Sequence, residues 1–186
     1  MDLDKAIDSR HSVRDFSTKK VKWEKVIEAI DAAGKAPQAG NIHNMTYIII
    51  EKQETKNHIA KHAQQNWIAD AGIVIVVCSE DRNLESLYND RGKIYARQQA
   101  GAAIQNLLLK ITDLGLSACW VGAYHEEMIK QMLKIPGHIT VEAIIPIGYP
   151  STKPRKVKKT ELQNLIRWET FGQSKKPTPF KDQPTW

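Results

Sequence analysis

Two arginines and a serine occupy alternate positions close to the start of the chain, in the segment Arg10-His11-Ser12-Val13-Arg14. If this segment is extended, Arg10, Ser12 and Arg14 lie on one side, because side chains alternate along extended backbone. Two guanidinium groups and a hydroxyl on one side suit a phosphate group, since arginine offers paired, charge-assisted hydrogen bonds to its oxygens. A surface arginine pair that bridges to neighbouring aspartates is the alternative.

A second basic segment, Lys153-Pro154-Arg155, follows the last apolar run of the chain. Its proline stiffens the backbone, so the two flanking cations are held in place. A basic loop without a ligand is the alternative. Together with Arg10 and Arg14, these residues provide four cations for one dianionic phosphate, if the fold brings the two ends of the domain together.

A loop and a strand end carry small residues that leave room for a flat ligand. The loop at 36–41 reads APQAGN, and its Asn41 side chain can both donate and accept hydrogen bonds, which matches the edge of a pyrimidine-like ring. The apolar segment at 115–124 ends in Val121-Gly122-Ala123, whose small side chains let backbone N–H groups approach a planar molecule. An ordinary turn and a strand end packed under a helix are the respective alternatives.

Composition narrows the class of protein. The chain has 186 residues, 41% of them hydrophobic and 26% charged, which is typical of one globular domain. Its net charge is +6, and the segment 150–186 has nine Lys and Arg against three Asp and Glu, so the rest of the chain is neutral. This placement favours a local anion site or a basic tail over a nucleic-acid-binding surface.

Several kinds of site find no support in the sequence. The two cysteines, Cys78 and Cys119, are too few for a zinc or iron–sulfur cage and are interpreted as buried free thiols. His58 and His62 have the spacing of two metal ligands, but a solvated helix face shared with Lys56 and Lys61 is the favoured interpretation. Dinucleotide, P-loop, metalloprotease and serine-hydrolase motifs are absent. The chain starts without an apolar signal segment and has no apolar run of membrane-spanning length, so a soluble, cytoplasmic protein is expected.

The predicted secondary structure alternates between helix and strand. Periodicity predicts helices at 2–9, 21–33, 54–67, 94–114, 126–133 and 160–168, and strands at 46–50, 72–79, 116–124 and 141–149. The run at 72–79 is apolar without alternation, which is typical of a strand covered on both faces. The long helix contains a row of small residues and ends at Gly115, a predicted left-handed cap.

Taken in order, these segments resemble the nitroreductase family of flavoproteins. The resemblance rests on R-x-S-x-R near the start, the P-x-A-G-N loop, the long helix with QQAGAAIQNLLL, then LGLSACWVGAY, and a strand ending in IGYP followed by KPR. It covers about residues 3–172. It implies an α+β fold with a mixed, mostly antiparallel sheet wrapped by helices, a long central helix and a C-terminal tail that embraces a partner subunit. The domain is expected at 1–172, with the Pro- and Lys-rich tail at 173–186 packed on the partner.

The resemblance also implies a cofactor, a set of contacts and a reaction. One FMN would lie in each of two clefts at the interface of a homodimer, and NADH or NADPH would bind transiently as electron donor. The implied cofactor contacts are Arg10, His11, Ser12 and Arg14 at the phosphate and ribityl chain, Lys153 and Arg155 at the phosphate, Asn41 at the isoalloxazine edge, and Trp120, Val121, Gly122 and Ala123 along the ring. The implied activity is reduction of nitroaromatics, quinones or similar small acceptors by ping-pong hydride transfer, with no catalytic side chain, no metal, no nucleic acid and no membrane involved.

Two departures from the family pattern affect these expectations. Many members follow the loop asparagine with x-Q-P-W, whereas this chain has Ile42-His43-Asn44-Met45. The region at 81–93 is also short, so an open pocket or one shaped by the other subunit is expected. A flavin-binding carrier or redox sensor without turnover is the alternative function.

Overall fold

The computed structural model describes residues 1–152 and 159–175. The chain divides into two compact units, Met1–Pro154 and Arg155–Trp186. The first unit contains six α-helices and four strands within its described residues, which are α1 Leu3–Ser9, α2 Trp23–Gly34, β1 Met45–Ile50, α3 Gln53–Ala63, β2 Ile73–Glu80, α4 Arg82–Tyr88, α5 Arg91–Asp113, β3 Ser117–Ala118, α6 Glu126–Leu133 and β4 Ile139–Gly148.

The four strands form one antiparallel sheet in the order β1-β2-β4-β3. Strand β2 is buried along almost its whole length because both of its faces carry a core. Ile73, Ile75 and Val77 belong to the core that includes residues of α2 and α5, whereas Val74 and Val76 belong to the core that includes residues of α3 and α6. The strand covered on both faces, predicted from the apolar run at 72–79, is confirmed.

The segment that follows α1 joins the other edge of the sheet. Ser12 pairs with Ala118 of β3 in the parallel sense, and the Val13 N–H donates to the Ala118 carbonyl at 3.1 Å. Phe16 then pairs in the antiparallel sense with Pro150, just beyond β4. The predicted α+β fold, with a mixed and mostly antiparallel sheet and a long helix, is therefore confirmed.

Strand β3 is shorter than the predicted strand at 116–124. Only Ser117 and Ala118 form the ladder, after which Val121 makes a separate bridge to Ile144. The interruption lies opposite Pro146, whose carbonyl accepts the Cys119 N–H at 3.3 Å. Because proline has no N–H to return, the ladder loses a hydrogen bond at this point.

The region at 81–93 contains a helix, α4, that periodicity does not predict. Its packing against α5 depends on Gly92, where a Cβ atom would lie 2.4 Å from the backbone of Leu84. Helix α5 is attached to the sheet by Arg97, which donates to the Ser79 hydroxyl at 2.9 Å and forms ion pairs with Asp81 and Glu142. The helix ends as predicted, with Gly115 in the left-handed region at φ +73°.

The second unit is described over residues 159–175. It contains the four-residue helix α7, Leu162–Leu165, within the helix predicted at 160–168. Its side chains at Leu162, Leu165 and Phe171 are exposed, and the Arg167 guanidinium lies 5.9 Å from the centre of the Phe171 ring. Across both described ranges, no helix combines the length and the apolar character needed to cross a membrane.

Candidate functional site

The Arg10–Arg14 segment is extended beside β3, and its side chains alternate as the sequence predicts. Val13 is buried, whereas Ser12 and Arg14 are exposed and Arg10 is half-buried. The His11 Nδ1 atom lies 2.7 Å from the Ser9 carbonyl, to which it donates. This contact fixes the imidazole next to the preceding turn.

The two arginines and Ser12 meet around the buried thiol of Cys119. Burial raises the pKa of this thiol, while the nearby charges of Arg14 and Arg10 and a hydrogen bond with Ser12 act in the opposite direction. Long-range folding therefore brings three of the predicted phosphate ligands close to the chain just after β3. Both cysteines are buried and free, as predicted.

Two residues that sequence patterns did not single out complete this region. The Arg14 guanidinium lies 6.0 Å from the centre of the Trp67 ring, and the Gln65 amide donates to the Ala123 carbonyl at 3.4 Å. Both residues lie just after α3, although the sequence pattern predicts that the helix at 54–67 includes them. The helix in fact ends at Ala63, and the capping residue Gln64 adopts the left-handed conformation at φ +54°. A polar Gln-Gln-Asn run before Trp67 was the available signal for this turn.

The stretch from Trp120 to Ala123 offers main-chain groups at an open surface. Val121 is buried, and both its N–H and its carbonyl are bonded to Ile144, at 2.9 and 3.0 Å. Gly122 and Ala123 are exposed, and their N–H groups have no acceptor among the described residues. No described atom lies within 4 Å of where a Cβ on Gly122 would stand. Gly122 and Ala123 can therefore offer main-chain donors to a planar ligand, whereas Val121 cannot.

The loop that carries Asn41 is held by one buried side chain of α5. Gly40 and Asn41 both adopt left-handed backbone, with φ of 57° and 55°, in a short 3₁₀ turn. The Gln99 side chain accepts the Ala39 N–H at 3.1 Å and donates to the Ile42 carbonyl at 3.3 Å. It also donates to the Asn44 side-chain oxygen. Asn41 itself is exposed, so its amide is available to a ligand.

A cleft of about 330 Å³ lies between this loop and α5. Its lining includes Gln38, Tyr95 and Gln98. The Gln38 Oε1 atom is buried and has no hydrogen-bond partner among the described residues. No hydrogen bond or ion pair among the described residues joins this loop to the Arg10–Arg14 segment.

The structure gives different results for the remaining residues that the sequence analysis singled out. Lys153 and Arg155 lie outside the described residues. His58 is exposed as expected, but Lys56 is buried, so the helix face they were predicted to share is only partly solvated. The reason is that the turn leading to β2 covers Lys56 and supplies the Ala71 carbonyl as its acceptor. No cluster of three or more potential metal ligands occurs among the described residues.

Known proteins resemble this chain in sequence and in fold. The model of the nitroreductase family matches residues 7–69 and 54–149 of the chain. A protein of Methanothermobacter thermautotrophicus, whose provisional name is NADH dehydrogenase/NAD(P)H nitroreductase, is 31% identical over 159 residues, which are 83% of this chain and 80% of that protein.

Two further proteins extend the comparison. The FMN reductase [NAD(P)H] of Bacillus subtilis is 24% identical, over 90% of this chain and 73% of its own. The crystal structure of a nitroreductase family protein from Clostridium novyi superposes with a TM-score of 0.75 at 26% identity, over 93% of this chain and 96% of that one.

Proposed function

The chain is a member of the nitroreductase family, and from this premise we propose that it is an FMN-dependent oxidoreductase that uses NADH or NADPH to reduce small organic acceptors. Nitroaromatics and quinones are the proposed acceptor classes. The relatives named NAD(P)H nitroreductase and FMN reductase support the electron donor and the cofactor.

One observation carries the proposal. The parallel pairing of Ser12 with Ala118 holds the Arg10–Arg14 segment beside β3, four residues before the exposed pair Gly122 and Ala123. This arrangement fits FMN, because Arg10, Ser12 and Arg14 would hold its phosphate and ribityl chain while the flat ring lies against residues that have almost no side chain.

The remaining proposed contacts have distinct tasks. The exposed Asn41 amide would bind the pyrimidine edge of the ring, with its loop held by Gln99. Trp120, which is exposed, would flank the ring. Lys153 and Arg155 are proposed to complete the phosphate site, with His11 beside it. The Gly122 and Ala123 N–H groups would supply preorganised donors to the charge that develops on reduction.

FMN, when bound, supplies the ring that takes a hydride from NAD(P)H and passes the electrons to the acceptor. The protein binds and orients the cofactor and leaves one face of the site open. Donor and acceptor would use this face in turn, because the sequence has no separate dinucleotide-binding fingerprint. The proposed kinetics are therefore ping-pong.

The experiment is the visible spectrum of the purified protein, followed by anaerobic addition of NADH and then NADPH. Flavin bands that bleach within the dead time of mixing would support the oxidoreductase and identify the preferred donor. Bands that persist would indicate a carrier or sensor. A colourless protein that takes up no added FMN would overturn the proposal.

We also propose that the active form is a homodimer with FMN at the interface, in which the loop at 37–41 lies close to the partner's flavin. Support comes from the exposed apolar residues Leu3 and Ile7, one turn apart on α1, and from exposed Ile94 on α5. Light scattering coupled to size exclusion tests this, and a monomeric holoprotein would contradict it. The cytoplasmic location stays a prediction, to be checked by cell fractionation.

A further inference from the structure

A second cleft, of about 740 Å³, lies on the first unit between three segments: the chain at 16–21, the first turns of α3, and the turn that leads into β2. None of its lining residues is among those proposed to hold FMN. The cleft is therefore distinct from the proposed flavin site, and its chemistry must be explained separately.

The first feature of this cleft is a buried ammonium group. Lys56 is only 6% exposed, and its Nζ donates to the Ala71 carbonyl at 2.6 Å. An ammonium has three N–H donors, so two of them have no acceptor among the described residues. Burial lowers the pKa of Lys56, and the charge of Asp70 only partly opposes this effect. A buried cation with spare donors is costly unless an anion reaches it.

The second feature is the charge and hydroxyl content around Lys56. Lys19 and Lys20 also line the cleft, together with the hydroxyl-bearing residues Ser17 and Thr18. Lys19 Nζ lies 4.1 Å from the centre of the ring of Tyr149, a residue outside the cleft lining, and this contact leaves its charge without an anionic partner in the described part of the chain. None of the three lysines forms an ion pair within 4 Å among the described residues, so their charges are available to a ligand.

The third feature limits the ligand to one anionic group. Glu51 and Asp70 also line the cleft, and neither has an ion-pair partner within the described part of the chain. Their carboxylates would repel a second anion, but they can accept hydrogen bonds from sugar hydroxyls. The cleft therefore combines three cationic side chains with two carboxylate acceptors, and one of these, Asp70, lies close enough to Lys56 for its charge to act on it.

We propose that this cleft binds a phosphate group, carried either by inorganic phosphate or by a nucleoside monophosphate. Three ammonium groups and two hydroxyls match the charge and the donor requirement of a tetrahedral dianion. In the nucleotide case, Glu51 and Asp70 would face the ribose. The site needs no flavin and no redox step.

The test uses the FMN-loaded protein, so that the proposed flavin site is already filled. Inorganic phosphate and adenosine monophosphate are titrated separately by isothermal calorimetry, each against sodium chloride of equal ionic strength. Saturable binding of phosphate is expected. Tighter binding of the nucleotide would identify the sugar-bearing ligand, and equal affinities would identify phosphate alone.

The double variant Lys19→Gln/Lys20→Gln removes two surface charges without touching the core, and Lys56→Gln removes the buried one. Each is expected to lose about tenfold or more in phosphate affinity, because charge-assisted hydrogen bonds are lost. Lys61→Gln, on the exposed side of α3, is the matched control and keeps wild-type affinity. The proposal is overturned if the wild type shows no binding beyond the chloride control, or if the double variant binds phosphate as the wild type does.

Discussion

Replacement of Gln99 by leucine tests whether one buried amide holds the loop that presents Asn41. Gln99 is 5% exposed in the middle of α5, and its amide makes hydrogen bonds to Ala39, Ile42 and Asn44. Leucine has a similar volume and favours helix, so Gln99→Leu removes the hydrogen bonds while disturbing the helix little.

The expected loss in the free energy of unfolding depends on how well each group freed by Gln99→Leu can reach water. A hydrogen bond contributes about 1 kcal/mol to stability, and a buried group left without its partner costs about 1–3 kcal/mol. Ala39 and Ile42 are half-buried, so small loop movements can hydrate them, but Asn44 is 8% exposed and its amide nitrogen already has no partner within the described residues. Burial of the leucine side chain recovers part of this stability, so we expect the free energy of unfolding to fall by about 2–3 kcal/mol.

The assay is urea unfolding of the FMN-free protein together with a fluorescence titration of FMN. The unfolding midpoint should fall with an unchanged slope, and the Kd for FMN should rise about tenfold or more, because the left-handed backbone at Gly40 and Asn41 loses its support. Gln98→Leu is the matched control, since Gln98 is the exposed neighbour on the same helix and should change stability by less than about 0.5 kcal/mol. The reasoning is refuted if the two variants have the same unfolding midpoint and the same FMN affinity.

Three other perturbations have defined outcomes. Arg14→Ala should lower the flavin-to-protein absorbance ratio of the purified protein, because a cation of the proposed phosphate and ribityl site is lost; an undiminished ratio would remove Arg14 from that site. Gly148→Ala should lower the free energy of unfolding, measured by calorimetry, by about 1–3 kcal/mol, because the added Cβ would lie 2.7 Å from the buried ring of Phe16. Gly137→Ala is the control, since its Cβ would meet open space within the described residues and should change stability little. Equal losses in the two variants would contradict this. Burial raises the pKa of the Cys78 thiol to about 11, assisted by the charge of a nearby glutamate and opposed by that of a lysine. The unfolded thiol ionises at about 8.5, so the pH-dependent part of the free energy of unfolding is complete below that pH and falls by roughly 3 kcal/mol as the pH rises to 11. Cys78→Ala should flatten this pH dependence, and an unchanged slope between pH 9 and 11 would refute the assignment.

Much of the fold is readable from local pattern. The helix predicted at 126–133 is observed as Glu126–Leu133, and the apolar run at 72–79 is observed as the central strand β2. The shortened β3 could not be read in this way, because the residue that interrupts it, Pro146, lies far away in the chain. Strand pairing depends on what stands opposite, and this is not written in the strand's own residues.

In the candidate site, too, some features follow from local sequence pattern and others depend on distant parts of the chain. Alternation along the chain at 10–14 is enough to place Ser12 and Arg14 on one side, and the exposure of both agrees with it. Lys56, in contrast, has the spacing of a solvated helix position, yet it is buried by the turn that precedes β2. A helix pattern reports which side chains share a face but does not report what the rest of the protein packs against that face.

The order of five motifs along the chain is enough to assign the family, and with it the fold class and the expected cofactor. Three contacts emerge only from the folded chain. Arg14 lies near the Trp67 ring, Gln99 holds the Asn41 loop, and the N–H and carbonyl of Val121 both bond to Ile144. The two kinds of information differ in the range of the interactions that carry them. Backbone periodicity and capping act within a few residues and leave a local signature, whereas these contacts join segments that meet only when the sheet and its two covering layers have assembled.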